Sequence, residues 1–225
     1  MSVPRIYRFT DHSVLLDTLV TRIAALAKSC IEQHHSFSFI LAGGDTPREL
    51  YRQLRHLATD WQRWHIYFGD ERFLPPGDPQ RNDTMAASVW LDHVAIPSAQ
   101  IHRVPHGDNV SAAAAAYASV LRQAPGFDLA LLGLGEDGHT ASLFPGHLAA
   151  LHSRQLAVAV TNAPKPPPQR VSMSPAGLGM AAAVWCIVTG ASKKQALQAW
   201  LAGTQMPPQS IQPQAGIDIY TDIAV

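Results

Sequence analysis

The sequence is poor in cysteine, in net charge and in long apolar runs, and each shortage excludes a class of protein. Two cysteines in 225 residues, Cys30 and Cys186, cannot build a disulfide scaffold, and no CxxC motif or Cys/His ligand spacing is read around them. Each lies in an apolar stretch, Cys30 in a helical pattern and Cys186 in a strand pattern, so both are expected as buried free thiols. Lys plus Arg is 17 and Asp plus Glu is 17, which leaves no formal net charge. A neutral chain lacks the basic surface that a standing nucleic-acid partner requires, whereas a small anionic ligand needs only a few convergent donors. No stretch approaches membrane-spanning length and the opening Met-Ser-Val-Pro-Arg carries no apolar leader, so a cytoplasmic location is expected.

What the chain has is an alternation of strand and helix patterns. Residues 5–9 read as a first strand. From Asp11, with Asp11 or Ser13 as cap, apolar residues at Val14, Leu15, Leu19, Ile23, Leu26, Ala27 and Cys30 follow helical spacing. Further strands are expected at 36–42, 65–68, 127–132, 156–160, 183–188 and 217–220. Helices are expected from Thr46, over 83–91, through the alanine run 112–116 to Gln123, and over 192–201. Segments 75–82 and 164–168 read as loops. No repeat or linker appears, and 47% hydrophobic residues suffice for the core of a single domain over 1–225. The alternation predicts an α/β fold with a mostly parallel sheet, whose ligands bind beyond the carboxyl ends of the strands.

Four segments with chemistry in them do follow strands. In Leu41-Ala-Gly-Gly-Asp-Thr-Pro47 a strand runs into two glycines, then Thr46 as cap and Pro47 at the first helical position. It reads either as an anion cradle at a helix N-terminus or as an ordinary strand-to-helix turn. Tyr67-Phe-Gly-Asp-Glu-Arg-Phe73 sets Asp70, Glu71 and Arg72 at a strand end, as cleft residues or as a solvated loop. In the stretch from Phe127 to Pro145 a buried strand empties into Gly133, Gly135 and Gly138, with Glu136, Asp137 and His139 among them. A histidine in that setting is suited to act as a base near neutral pH. The other ten histidines, including His34-His35 at a helix end, read as structural or solvated. Last, Arg170-Val-Ser-Met and Gly190-Ala-Ser-Lys193 offer two cations, either phosphate donors or ordinary surface charges.

Taken in order, these segments resemble the 6-phosphogluconolactonase family over most of the chain. Gly-Gly-Asp-Thr-Pro at 43–47, Asp-Glu-Arg at 70–72, Gly-Leu-Gly-Glu-Asp-Gly-His-Thr-Ala-Ser-Leu-Phe-Pro at 133–145, Arg-Val-Ser at 170–172 and Gly-Ala-Ser-Lys at 190–193 carry the resemblance. Two positions depart from its pattern. Asp45 stands where a small hydroxyl residue is usual, so it is not expected to touch a phosphate, and Ser172 replaces a threonine.

The resemblance implies a three-layer α/β/α modified Rossmann-type fold. It also implies hydrolysis of 6-phospho-D-glucono-1,5-lactone to 6-phospho-D-gluconate, a step of the oxidative pentose phosphate pathway. His139 is expected as base, Asp137 as its orienting partner, Arg72 as a charge-stabilising cation and Asp70 as a binder of sugar hydroxyls or a support for Arg72. Gly43, Gly44, Thr46, Arg170 and Lys193 are expected to hold the phosphate. No metal and no cofactor are expected, and the protein is expected as a monomer or small homo-oligomer. Two other readings share the fold. An aminosugar-phosphate deaminase would resemble Asp-Gly-His-Ile-Ala-Phe-Asn-Glu-Pro in this loop, and its glutamate falls on Phe144, which cannot move a proton. A sugar-phosphate sensor would need a DNA-binding extension, for which strands running from Arg5 to Tyr220 leave no room.

Overall fold

The computed structural model describes residues 4–225. Six strands, β1 (Arg5–Arg8), β2 (Phe37–Leu41), β3 (Trp64–Phe68), β5 (Phe127–Gly133), β8 (Ala181–Val188) and β9 (Ile217–Thr221), form one sheet in the order β1-β9-β8-β5-β2-β3. Every neighbouring pair is parallel. The sheet is covered on both faces by helices, chiefly α1 (His12–His34), α2 (Asp45–Leu54), α3 (Asn82–Val89), α4 (Val110–Arg122) and α7 (Lys194–Leu201). That cover explains why β2, Phe-Ser-Phe-Ile-Leu, is buried at all five positions: a strand with helices on both sides has no solvent face to alternate with.

Three further strands form a small antiparallel sheet in the order β4-β7-β6: β4 (Asp70–Arg72), β6 (Ala157–Val160) and β7 (Arg170–Met173). The short helices α5 (Leu148–Leu151) and α6 (Pro175–Leu178) flank these strands in sequence. This sheet differs from the sequence reading in two respects. The segment at 156–160 is not a central strand; β6 is the outer strand of the small sheet, and Val158 and Ala159 are partly exposed. Asp70–Arg72 is not a loop but a strand. Its polar residues are paid for in hydrogen bonds: Glu71 Oε1 accepts from the N–H groups of Arg72 and Asn82, and Oε2 from that of Asp83, at 2.7–2.8 Å.

Two buried tyrosines fix the ends of the strands that lead into the carboxyl-edge loops. Tyr51 of α2 donates to the carbonyl of Ala42 at 2.8 Å and accepts from its N–H at 3.0 Å, just beyond β2. Tyr117 of α4 makes the same two-way clasp on Phe68, the last residue of β3, at 2.8 and 2.9 Å. Each clasp satisfies both backbone groups of a residue where ladder bonding ends, which a buried backbone requires.

Candidate active site

Because the six strands are parallel, the loops after β2, β3, β5 and β8 share one edge, and a cavity of about 400 Å³ opens there. It is lined by Gly43, Gly44, Thr46, Asp70, Arg72, His139, Arg170 and Lys193, among others. Eight of the nine residues expected from sequence therefore meet in one place. The ninth, Asp137, lies beside it, with its carboxylate hydrogen-bonded to His139 Nδ1.

The small sheet brings the charged residues together. Asp70 pairs across the ladder with Ser172, and Arg72 with Arg170. Residues two apart on a strand share a face, and so do directly opposed partners, so all four side chains lie on one face. Asp70 is buried; Oδ2 accepts from Ser142 Oγ at 2.6 Å and Oδ1 from Asn82 Nδ2 at 3.2 Å. The buried Arg170 spends Nε and Nη2 on the carbonyls of Pro167, Lys165 and Pro166 at 3.0–3.2 Å, while Nη1 faces Ser142 Oγ at 3.5 Å. Burial, with Arg72 nearby, holds its guanidinium below the ordinary value against the pull of Asp70. Two cations crowded in this way favour an anion between them. Arg72 Nε is buried without a protein partner, the kind of orphan donor found at functional sites.

The histidine loop is a closed turn. Gly135 N–H bonds to His139 O at 2.7 Å and Gly138 N–H to Gly135 O at 2.9 Å. A Cβ on Gly135 would lie 2.0 Å from His139 Nδ1 and 2.6 Å from Asp137 Oδ1, so this glycine is what lets the His–Asp pair close. With Nδ1 engaged by the carboxylate, Nε2 is the nitrogen left to act, a tautomer inferred from the hydrogen-bond network. Burial works against ionisation of Asp137, but the hydrogen bond and charge of His139 outweigh it and hold that carboxyl below its ordinary value. The ring of His139 rests on Phe144, centroids 4.7 Å apart, and Phe144 is itself buried. Ala141, at φ 48°, takes a backbone conformation that non-glycine residues seldom adopt.

The turn after β2 differs in detail from its sequence reading. Gly44, not Thr46, caps α2, whose first residue is Asp45. Thr46 Oγ1 instead shares a hydrogen bond with Thr189 Oγ1 at 2.7 Å. Asp45 turns to solvent and pairs with Arg48 at 2.9 Å. The N-terminal N–H groups of α2 thus border the cavity, and the Asp45 carboxylate beside them is engaged by Arg48. A Cβ on Gly43 would sit 2.1 Å from Asn82 Oδ1, so the first glycine makes room for Asn82. Lys193, also lining the cavity, has its Nζ 3.5 Å from Glu136 Oε1. Ser192 and Lys193 hold the Glu136 carboxyl below its ordinary value.

Sequence reasoning did not single out Asn82, Ser142, Thr189 and the two tyrosine clasps. Ser142 and Ser172 stood inside quoted motifs, but their link, Ser142 N–H to Ser172 Oγ at 3.2 Å, depends on the small sheet. Asn82 carried no signal beyond its place at the end of a loop.

The family model described as glucosamine-6-phosphate isomerases/6-phosphogluconolactonase matches residues 10–220. A 6-phosphogluconolactonase of Mycobacterium leprae is 35% identical over 222 residues, covering 92% of this chain and 89% of its own. One of a Nostoc species is 36% identical over 217 residues, covering 91% and 89%. The crystal structure of a 6-phosphogluconolactonase from Thermotoga maritima superposes with a TM-score of 0.90 at 27% identity, over 97% of this chain and 99% of that one. A monomeric glucosamine-6-phosphate deaminase superposes at 0.83 with 19% identity, over 96% of each chain; the fold is common to both chemistries.

Proposed function

Because the chain belongs to the family of glucosamine-6-phosphate isomerases and 6-phosphogluconolactonases, we propose that it works as a single-domain enzyme on its lactone-hydrolysing side. It hydrolyses 6-phospho-D-glucono-1,5-lactone to 6-phospho-D-gluconate, the lactone-opening step of the pentose phosphate pathway. The observation that carries the mechanism is the His139–Asp137 pair at one side of a cavity that also holds Arg72, Arg170 and Lys193.

Water adds to the lactone carbonyl carbon while His139 Nε2 takes its proton. A placed base of this kind contributes about 10²–10⁴ in rate. Asp137 holds the ring so that Nε2 faces the water, and it stabilises the imidazolium that forms. Arg72 offsets the charge on the tetrahedral oxyanion. The intermediate collapses, the bond from carbon to ring oxygen breaks, and the ring oxygen takes the proton back from His139. The acid produced then ionises to the carboxylate. The phosphate sits between the N-terminus of α2, at Gly43, Gly44 and Thr46, and the cations Arg170 and Lys193. Asp70, held by Ser142 and Asn82, accepts from sugar hydroxyls. No step calls on a metal or an organic cofactor.

Deaminase chemistry on this fold lacks its proton carrier, since Phe144 stands where the deaminase motif has glutamate. No helix among the described residues is long and apolar enough to cross a membrane, and two buried free cysteines suit a reducing compartment; a cytoplasmic location follows from this reading. The test is proton release on adding freshly made 6-phosphogluconolactone, against spontaneous hydrolysis without enzyme. Release no faster than that background overturns the assignment.

A further inference from the structure

The amino-terminal edge of the large sheet carries a second cluster of chemically able side chains. Cys30 and His34 lie one turn apart on α1, and Asp128 is the second residue of β5. A thiol sulfur, an imidazole nitrogen and a carboxylate oxygen from the three lie within 4.8 Å of one another. His34 Nε2 is 3.1 Å from Asp128 Oδ1. The remaining atoms of both groups are held from behind: Asp128 Oδ2 accepts from the N–H of Ser38 at 2.7 Å, and His34 Nδ1 lies 3.4 Å from Ser36 Oγ. Such outer contacts fix the tautomer and aim of metal-binding histidines and carboxylates. His34 also ends α1, where the helix dipole favours a cation.

We propose that Cys30, His34 and Asp128 bind one divalent ion of the zinc class, with a water in the fourth position. The ligand set argues for the metal: sulfur and imidazole nitrogen suit zinc and its borderline neighbours, while magnesium and calcium require oxygen. Ligand separations in a tetrahedral zinc site are shorter than the present spread, so side chains must close by rotamer adjustment, which the half-exposed His34 permits. Binding displaces the Cys30 thiol proton to solvent and leaves a thiolate–metal bond. A cleft of about 580 Å³ bordered by His34, Ser36 and Asp128 opens two of the three ligands to solvent.

The cluster is separate from the cavity with His139. Asp128 is the second residue of β5 and the histidine loop follows its end at Gly133, so strand rise alone sets them roughly 16 Å apart. The ion would cross-link the end of α1 to the start of β5. The Cys30–His34 pair escapes a reading of the sequence because its third partner lies on a strand far along the chain.

The experiment is titration of the reduced full-length protein with Co²⁺, followed by near-ultraviolet absorption. One Co²⁺ per chain should bind with a thiolate-to-cobalt charge-transfer band that Zn²⁺ abolishes. Cys30→Ser should remove the band, and His34→Gln, at a half-exposed helix end, should weaken binding at least about tenfold. His139→Asn should leave the band unchanged, and lactone hydrolysis should persist in Cys30→Ser. Stoichiometric Zn²⁺ should raise the melting temperature of the wild type but not of Cys30→Ser. Absence of a thiolate band at millimolar Co²⁺, or a band that survives Cys30→Ser, overturns the proposal.

Discussion

The hydroxyl of Tyr51 donates to Ala42 O at 2.8 Å and accepts from Ala42 N at 3.0 Å, so one α2 side chain closes both backbone groups where β2 gives way to the Gly43-Gly44 turn. Tyr51→Phe removes both bonds and leaves two buried backbone groups unpaired. It should lower stability by about 1–3 kcal/mol in urea denaturation and weaken binding of the phosphorylated lactone. Unchanged stability would mean that water enters and replaces the hydroxyl.

His139→Asn should lower kcat by about 10²–10⁴ with the fold intact by circular dichroism. Asp137→Ala should cost less, about 10²-fold, because the base survives but loses its aim. Equal losses in the two variants would mean that Asp137 takes part in the chemistry directly.

Lys193→Ala should raise KM for the phosphorylated lactone far more than for plain gluconolactone. On the proposed reading, Glu136, 3.5 Å from Lys193 Nζ, would compete with the phosphate for that cation. Glu136→Gln should therefore lower KM for the phosphorylated substrate only modestly, since exposed ion pairs are weak. A KM that rises in Glu136→Gln would show that the carboxylate serves to position Lys193.

Arg81 grips Asp83 through two hydrogen bonds at 2.9 and 2.7 Å, with both side chains almost fully buried. Arg81→Met leaves a buried carboxylate without its counter-ion and should cost about 3–5 kcal/mol in chemical denaturation, much of it regained on adding Asp83→Asn. No recovery in the double variant would point instead to the buried Glu71, 3.8 Å from Arg81 Nη2, or to the bonds from Arg81 to the carbonyls of Leu74 and Val104.

The sheet and the histidine loop were legible because their signals are local. β5 is apolar almost throughout, and glycines, Asp137 and His139 follow one another within a few residues. The small sheet was not legible, since Asp-Glu-Arg has no strand propensity of its own. β4 exists because Glu71 finds backbone donors in residues 72, 82 and 83, and no periodicity announces such partners. Thr46 misled for a related reason: Thr-Pro is a common way to open a helix, yet Gly44 already occupies the cap and Thr46 turns to Thr189. The place of Asn82 against Gly43 joins the start of α3 to the turn after β2 and could be seen only in three dimensions.

Phe144 tests the division between hydrolysis and deamination. Its ring is buried, supports the ring of His139 at 4.7 Å between centroids and lies under the Arg170 guanidinium at 5.7 Å. A glutamate there restores the deaminase-like residue, but it loses the apolar support and puts a carboxylate in a site built for a ring. Arg170 lies beside it, and pairing with a carboxylate there would draw that cation from the phosphate. Phe144→Glu should therefore release no ammonia from glucosamine 6-phosphate. It should also unfold more readily than the wild type and bind the phosphorylated lactone less well. Phe144→Leu keeps an apolar support and should retain most stability, with kcat reduced as His139 loosens. Ammonia release by the wild type would overturn the lactonase assignment and spare the fold; a Phe144→Glu variant as stable as the wild type would refute the supporting role of the ring alone.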